Sequence, residues 1–289
     1  MELPLIVGVD GSPASLRALD WAVDEAERRG TPLRVVYASS WEWYEGHEPS
    51  FGIGGDSVQA SADHIVDRAV EHARRRAPAV DVRGTVQPED PAAALIRASG
   101  GAWVVVVGSR GRGRLTGLLL GSVSLSVAAR AASPVVVVRD TEGDRAPAAG
   151  QITVGVGEPG ESAAAVAFAC DVAARRGATL RAVHAWRCPA HETPARPRTA
   201  ELTDPHQRRA LEELDEALRE PLRAHDALVV RREAPEGHAR AALLDAARTS
   251  DLLVVGAHRR EGQLGMQLGP VSHAVLHHAA CPVAVVPYG

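Results

Sequence analysis

The chain has 289 residues, of which 45% are hydrophobic and 24% charged, a composition typical of globular proteins and a length that suits two domains. A formal charge of −4 argues against general nucleic-acid binding, which needs clustered positive charge. No apolar run approaches the roughly 20 residues that cross a bilayer, and the N-terminus lacks the basic region of an export signal. We therefore expect a cytoplasmic protein without membrane or nucleic-acid partners.

The types of basic residue and the spacing of the cysteines exclude further classes of functional site. The chain contains no lysine, which excludes a Walker A loop, a protein-kinase lysine and a Schiff base. Neither a GxSxG elbow nor a GxGxxG sequence after the first strand is present. The three cysteines have neither metal nor disulfide spacing, which fits a reducing compartment. Any bound phosphate would have to be held by loop amides and arginines.

Strands and helices alternate along the first half of the chain. Short apolar runs bounded by turn residues predict strands, and apolar positions with helical spacing predict helices. The predicted strands are 5–10, Leu33–Ala38, a weaker one at 80–86, 104–107 and Val135–Val138. The predicted helices are one ending at Gly30, then 57–76, 91–98 and 122–132. This alternation is typical of a parallel, doubly wound α/β sheet.

A long loop is predicted at 39–56, and it contains four aromatic residues. Two interpretations of these side chains remain open: a partner surface or lid over a ligand, and ordinary packing of the loop. The residues concerned are Trp41, Trp43, Tyr44 and Phe51.

The stretch 104–139 has the features of an anion-binding unit. A buried valine strand ends at Gly108, and Gly111 and Gly113 follow in a loop that can approach a ligand closely and adopt positive φ. Gly121 and Ser122 then precede the helix at 122–132, whose N-terminal amides suit a phosphate. The sequence therefore predicts a strand, a phosphate-type loop, a helix and a strand.

The second half of the chain repeats the first at a shift of 147 to 148 residues. The segment that starts VGVDGSPASLRALDW at Val7 aligns without a gap with VGVGEPGESAAAVAF at Val154. A fixed period over half the chain indicates a duplicated domain. We predict a first domain at 1–140, a linker rich in Pro, Gly and charge at 141–150, and a second domain at 151–289.

The spacing Gly108-x2-Gly111-x9-Gly121-Ser122 resembles the nucleotide signature of the ATP-binding universal stress proteins. Both halves resemble that domain over nearly their whole length, and the tandem arrangement resembles the two-domain members. The resemblance implies two Rossmann-like domains, each a five-stranded parallel doubly wound sheet flanked by helices. It also implies a nucleotide at the carboxyl ends of the strands, where open α/β sheets bind ligands.

The resemblance assigns roles to individual residues. Asp10 would lie beside the adenosine, and Val9 and Ala38 would line the adenine slot, with Ala38 offering backbone groups to the base. The residues that would wrap the triphosphate are Gly108, Gly111, Gly121, Ser122 and Val123, with Ser124 close behind. To these we add Arg110, Arg112 and Arg114, whose charges would lie near the phosphates. The expected cofactor is ATP, with Mg²⁺ as its possible companion ion.

The expected function is nucleotide-responsive binding in stress adaptation, without catalysis, because nothing in the sequence places a general base beside a γ-phosphate. Two alternatives remain open. One is a nucleotide-independent interaction protein with a vestigial loop, and the other is a slow ATPase or nucleotidyl-transferring enzyme on the same fold.

The two halves are expected to differ in binding. At the aligned positions Asp10 becomes Gly157, Gly111 becomes Arg259 and Ser122 becomes Pro270, while two motif glycines remain. We therefore predict that ATP binds tightly only to the first half. The family resemblance also implies pairing of the last strands, either within this chain or in a homodimer.

A histidine pattern near the C-terminus raises the question of a metal. His273 and His277 share one predicted helical face, and Cys281 follows after four more residues. However, Cys281 precedes Pro282, where the helix should have ended. We therefore expect surface or cap histidines and no metal site.

Overall fold

The protein is described from a computed structural model that covers residues 3–40, 55–111, 120–139, 150–158, 160–188, 204–258 and 268–289, with 55–58 as backbone only. One compact unit comprises Met1–Asp140, and the other comprises Thr141–Gly262 and Leu268–Gly289. Several residues with predicted roles lie outside the described residues: Trp41, Trp43, Tyr44, Phe51, Arg112, Gly113, Arg114 and Arg259.

The first unit is a five-stranded parallel sheet with the order β3-β2-β1-β4-β5. Its strands are β1 (Leu5–Gly8), β2 (Leu33–Ala38), β3 (Val82–Gln87), β4 (Val104–Gly108) and β5 (Val135–Val138). Its described helices are α1 (Pro13–Arg29), α2 (Gly55–Arg76), α3 (Pro91–Ser99) and α4 (Ser122–Arg130). Helix α1 packs with α2, and α3 packs with α4. The predicted doubly wound α/β fold is confirmed.

The second unit repeats this topology with the order β10-β9-β6-β7-β8, again all parallel. Its strands are β6 (Gln151–Gly155), β7 (Thr179–Val183), β8 (Val230–Glu233), β9 (Leu252–His258) and β10 (Val283–Tyr288). Its described helices are α5 (Ala163–Arg176), α6 (Pro205–Leu222), α7 (Ala239–Ala246) and α8 (Pro270–His278), with a 3-10 turn at Ala247–Thr249.

The helix boundaries follow from capping chemistry. Helix α1 begins after Ser12, whose hydroxyl accepts the N–H of Ser15, and Pro13 occupies its first turn, where no amide donor is needed. It ends at Gly30 in the left-handed conformation, with φ of 69°, as the sequence predicts. Helix α4 ends at Arg130, two residues before the predicted end, because Ala131 already has an extended backbone.

A close contact between a strand and a helix recurs in both units. A Cβ atom added to Gly8 would lie 2.8 Å from Cδ1 of Leu95 in α3, and one added to Gly155 would lie 2.9 Å from Cδ1 of Leu243 in α7. Glycine at the end of the first strand of each unit therefore lets the facing leucine pack directly on the sheet. In the first unit this leucine also forms part of the cavity described below.

The strand order places an opening between β1 and β4. The chain leaves β1 toward one face of the sheet and leaves β4 toward the other, so their carboxyl ends diverge. Within the described part of the chain, no helix is long and apolar enough to span a membrane.

Candidate functional site

A cavity of about 340 Å³ lies at the carboxyl ends of β1, β2 and β4, at the divergence point between β1 and β4. Its size falls in the range of small-molecule sites. Every predicted site residue that the structure describes lines it: Val9, Asp10, Ala38, Gly108, Arg110, Gly111, Gly121, Ser122, Val123 and Ser124. Arg112 lies outside the described residues. The structure thus brings the predicted residues together, and whether they bind ATP stays a prediction.

One end of the cavity is an apolar slot. Val9, Val36, Leu95 and Val107 line it, and all four side chains are buried. The N–H of Val9 donates to the carbonyl of Val36 at 2.9 Å, which holds the ends of β1 and β2 in register. A slot with these walls suits a planar aromatic ligand.

The backbone of Ala38 gives this slot a polar edge. The carbonyl of Val36 points toward β1, where it accepts from Val9, and the N–H of Ser39 points the other way, toward Gln87 of β3. Since backbone groups alternate sides along a strand, the N–H and C=O of Ala38 point toward β1. The pairing of β1 with β2 ends at Gly8 and Val36, so these groups project past the last paired residue of β1 into the cavity.

The turn between β1 and α1 holds Asp10 at the mouth of the slot. Oδ1 of Asp10 accepts the N–H of Ser12 at 2.9 Å. The N–H of Asp10 donates to Oγ of Ser15 at 3.3 Å, and that hydroxyl donates to the carbonyl of Ser12 at 2.9 Å. The carboxylate is therefore oriented by its own turn, ready to accept a hydrogen bond from a hydroxyl or amine.

The opposite end of the cavity is the N-terminus of α4. Gly121 is the N-cap residue, without a side-chain cap, and its N–H donates to the carbonyl of Ser109 at 2.8 Å. Ser122 and Val123 follow in the first turn and line the cavity. Amides of a first helical turn have no intrahelical acceptor, and the helix dipole adds partial positive charge there. The exposed Arg110 adds a full positive charge nearby, so this end suits an anion.

Ser124 lines the cavity and also has a structural contact of its own. It is buried, and its hydroxyl donates to the carbonyl of Gly108 at 2.6 Å. The hydroxyl proton is thus used to tie α4 to the end of β4. In the second unit Ser272 donates to the carbonyl of Gly256 at 3.0 Å in the same way, which identifies the contact as a structural feature of the repeat.

Two of the loop glycines, Gly108 and Gly111, leave space that a side chain could not share. Positive φ, which the sequence analysis allowed for the loop glycines, is not found at Gly108 or Gly111, because neither lies in the left-handed region. A Cβ on Gly108 would lie 2.8 Å from the carbonyl carbon and oxygen of Ala14, and a Cβ on Gly111 would lie 2.6 Å from Oδ2 of Asp10. A Cβ on Gly121 would meet only ordinary contacts, the nearest at 3.6 Å.

The sequence analysis assigned no site role to five side chains that line the cavity: Ser15, Val36, Pro91, Leu95 and Val107. The repeat carried a signal for Ser15, because the aligned Ser162 accepts the N–H of Gly157 at 2.6 Å, just as Ser15 accepts that of Asp10. Pro91 and Leu95 lie on α3, far along the chain from the other lining residues, so only the fold reveals them.

The corresponding region of the second unit lacks key groups. Gly157 has no carboxylate, and Pro270 is the first residue of α8, where it removes one amide donor. Glu161 lies close to Tyr288. Burial raises the pKa of Tyr288, and the charges of Glu161 and Glu158 raise it further. This edge of the second unit therefore presents carboxylates close to Tyr288, which disfavours an anionic ligand.

Two histidines of α8 form a close pair, and among the described residues no third side chain joins them in a group that could hold a metal ion. The rings of His273 and His277 lie 4.4 Å apart between centroids, and Cys281 is buried beyond the end of the helix. Across the described ranges, no group of three or more His, Cys, Asp or Glu residues is arranged to hold a metal ion.

Comparison with known proteins finds relatives that belong to one family. The model of the universal stress protein family matches residues 3–139 and 149–287. The chain is 35% identical over 298 residues to universal stress protein Rv2623 of Mycobacterium tuberculosis, covering 98% of this chain and 96% of that protein. It is 32% identical over 310 residues to Rv1996 of the same organism, covering 98% and 95%. A universal stress protein structure from Archaeoglobus fulgidus shares the fold, with a TM-score of 0.71 at 16% identity, covering 99% of this chain and 98% of that chain.

Proposed function

Because the chain belongs to the universal stress protein family, we propose that the cavity of its first unit binds ATP and that the protein acts in stress adaptation as a nucleotide-responsive binding protein. In this arrangement adenine occupies the apolar slot beside Val9 and Leu95, and the backbone of Ala38 meets the edge of the base. Asp10 accepts a hydrogen bond from the nucleoside. The phosphates lie at the N-terminus of α4.

The observation that carries this proposal is the combination of two unlike ends in one cavity. An apolar slot with a polar backbone edge suits a base, and a helix N-terminus with Arg110 suits phosphate. The ends are joined by the Asp10 turn, where a sugar would lie between base and phosphates. Mg²⁺ needs no protein cage here, because it binds readily through phosphate oxygens and water.

A binding role is favoured over catalysis by the groups that line the cavity. Asp10 is the only carboxylate among the described lining residues, and its Oδ1 is already held by Ser12. With this single acid assigned to the nucleoside, no second carboxylate among the described lining residues is left to orient a water at the γ-phosphate. We therefore propose that bound ATP persists, with a change in its occupancy as the signal.

The direct test is to identify the small molecule that copurifies with the protein. The protein is purified, denatured and filtered, and the released small molecules are identified by mass spectrometry. We expect ATP at a substoichiometric to equimolar level, and calorimetry of the stripped protein should show ATP binding that exceeds GTP binding. Release of no nucleotide, together with no heat on ATP addition, would favour the nucleotide-independent interaction protein. Steady production of ADP during the titration would favour the slow ATPase.

A further inference from the structure

We infer that Gly111 is a positioning residue for Asp10, and that this loop glycine therefore controls recognition of the nucleoside more than of the phosphates. The inference rests on the proposed nucleotide site. Its observation is the approach of the Asp10 carboxylate to Gly111: a Cβ at residue 111 would lie 2.6 Å from Oδ2 and 3.8 Å from Cγ of Asp10.

A shift of the Asp10 carboxylate would cost its hydrogen bond to the N–H of Ser12. Its Oδ1 accepts the N–H of Ser12 at 2.9 Å, and the backbone N–H of Asp10 donates to Ser15 at 3.3 Å. A separation of 2.6 Å is well inside van der Waals contact between carbon and oxygen. A side chain at residue 111 would therefore rotate the carboxylate out of the turn that orients it.

Within the part of the chain that the structure describes, no other feature of Gly111 calls for glycine. Its backbone is outside the left-handed region, so a side chain would not be strained by φ. It is exposed, so no core packing depends on it. Among the atoms that a Cβ would meet within 4 Å, the nearest belong to Asp10. The space that the glycine leaves open is the space that the carboxylate uses.

The second unit changes the two positions together. Gly157 takes the place of Asp10, and Arg259 takes the place of Gly111 in the sequence. The frame around the first position is kept, because the N–H of Gly157 still donates to Ser162 at 2.6 Å. The second unit thus lacks both the carboxylate and the glycine at the position aligned with Gly111. This is expected if the glycine leaves room for the carboxylate.

The test is a double-mutant cycle in the full-length chain with Gly111→Ala, Asp10→Gly and the double variant. Affinities for AMP, ADP and ATP are measured by calorimetry. Loss of a hydrogen bond to a charged group predicts that Gly111→Ala weakens all three ligands by a similar factor, about 10- to 100-fold. In the Asp10→Gly background the same substitution should change affinity by less than about twofold, because no carboxylate remains to be displaced.

Gly101→Ala is the matched control, since a Cβ there meets nothing within 4 Å and its φ is not positive. Thermal unfolding of each variant separates misfolding from loss of binding. An equal loss from Gly111→Ala in both backgrounds, or a loss confined to ATP, would overturn the inference and show that Gly111 acts on phosphate directly. Wild-type affinity in Gly111→Ala would also overturn it. Failure of the wild-type chain to bind any of the three nucleotides would instead overturn the proposed function on which the inference rests.

Discussion

Ser15 shows how one buried hydroxyl can serve both folding and binding. It accepts the N–H of Asp10 and donates to the carbonyl of Ser12, so it fixes the turn that presents the carboxylate. Ser15→Ala should lower the free energy of unfolding by about 1–3 kcal/mol, because a buried donor and acceptor lose their partner. It should also weaken ATP binding, because Asp10 is then less well oriented. Chemical denaturation and calorimetry measure the two effects.

Ser162 supplies the control for this prediction within the same chain. Its hydroxyl accepts the N–H of Gly157 at 2.6 Å in a turn that has no carboxylate. Ser162→Ala should therefore destabilise the protein to a similar extent while leaving ATP affinity unchanged. Equal losses of ATP affinity in both serine variants would show that destabilisation, and not the orientation of Asp10, is the cause.

The cysteines are expected to differ in reactivity. Burial, with a smaller contribution from the negative charge of Asp171, raises the pKa of the Cys170 thiol to about 11. Below that pH the thiol stays protonated and unreactive, because the thiolate is the nucleophile. Cys281 is also buried, whereas Cys188 is half-buried. At pH 8 a colorimetric thiol reagent should modify about one thiol per native chain and all three in denaturant. Rapid modification of native Cys188→Ser protein would contradict this assignment.

The residues of the candidate site divide into those that the sequence predicts and those that only the fold reveals. The motif glycines were found from their spacing along the chain, and Asp10 from the resemblance of the first half to the universal stress protein domain. Leu95 was missed because its role depends on Gly8, a residue far away in sequence whose missing side chain admits it to the sheet. The reason for glycine at residue 111 was also missed. The sequence suggested freedom to adopt positive φ, whereas the structure places an oxygen of the Asp10 carboxylate 2.6 Å from where a Cβ atom of residue 111 would lie.

At the scale of elements, α4 is the helix whose N-terminus we expect to meet the negative charge of the phosphates. A side chain on Gly121 would point toward the loop of Ser109 and Arg110, with the nearest atoms 3.6 and 3.7 Å from its Cβ, so the helix should still form. Gly121→Glu should place a negative charge beside the phosphates and weaken ATP binding strongly. The loss should grow from AMP to ADP to ATP, because each added phosphate adds repulsion.

Gly121→Gln is the matched variant for this experiment, because it has nearly the same size as Glu without the charge. Calorimetry with AMP, ADP and ATP at two salt concentrations separates the charge effect, which salt screens, from the effect of bulk. Equal losses for the Glu and Gln variants would show that bulk alone matters at this position. Wild-type affinity in both would remove Gly121 from the site.

Element types were well predicted because local signals and the fold agree. Valine runs became buried strands, and Gly30 ended α1 in the left-handed conformation. The boundaries were less accurate. The predicted strand 5–10 ends at Gly8, because Asp10 turns to accept the N–H of Ser12, and a side-chain contact of that kind leaves no trace in hydrophobic periodicity.

At the scale of the whole molecule, the two units keep the same contacts within the fold and differ in the groups that would meet a ligand. The strand-to-helix bond of Ser124 recurs at Ser272, and the contact of Gly8 with Leu95 recurs at Gly155 with Leu243. Selection for folding alone would preserve these contacts in both halves. Asp10 and Ser122 are replaced by Gly157 and Pro270 in the second unit, which is why we predict binding by the first unit.

We therefore predict that calorimetry gives about one ATP site per chain, a count that follows from the single intact loop. The second unit lacks the Asp10 carboxylate, starts α8 with Pro270 and carries Glu161 beside Tyr288. Asp10→Ala should weaken ATP binding by about 10- to 100-fold in the whole chain, because one hydrogen bond to a charged group is lost and no second tight site replaces the first. Gly157→Asp, which adds a carboxylate to the second unit, should not create a tight site, since Pro270 still removes an amide donor. Two equivalent tight sites in the wild-type chain, or persistence of one tight site in Asp10→Ala, would contradict the assignment of binding to the first unit.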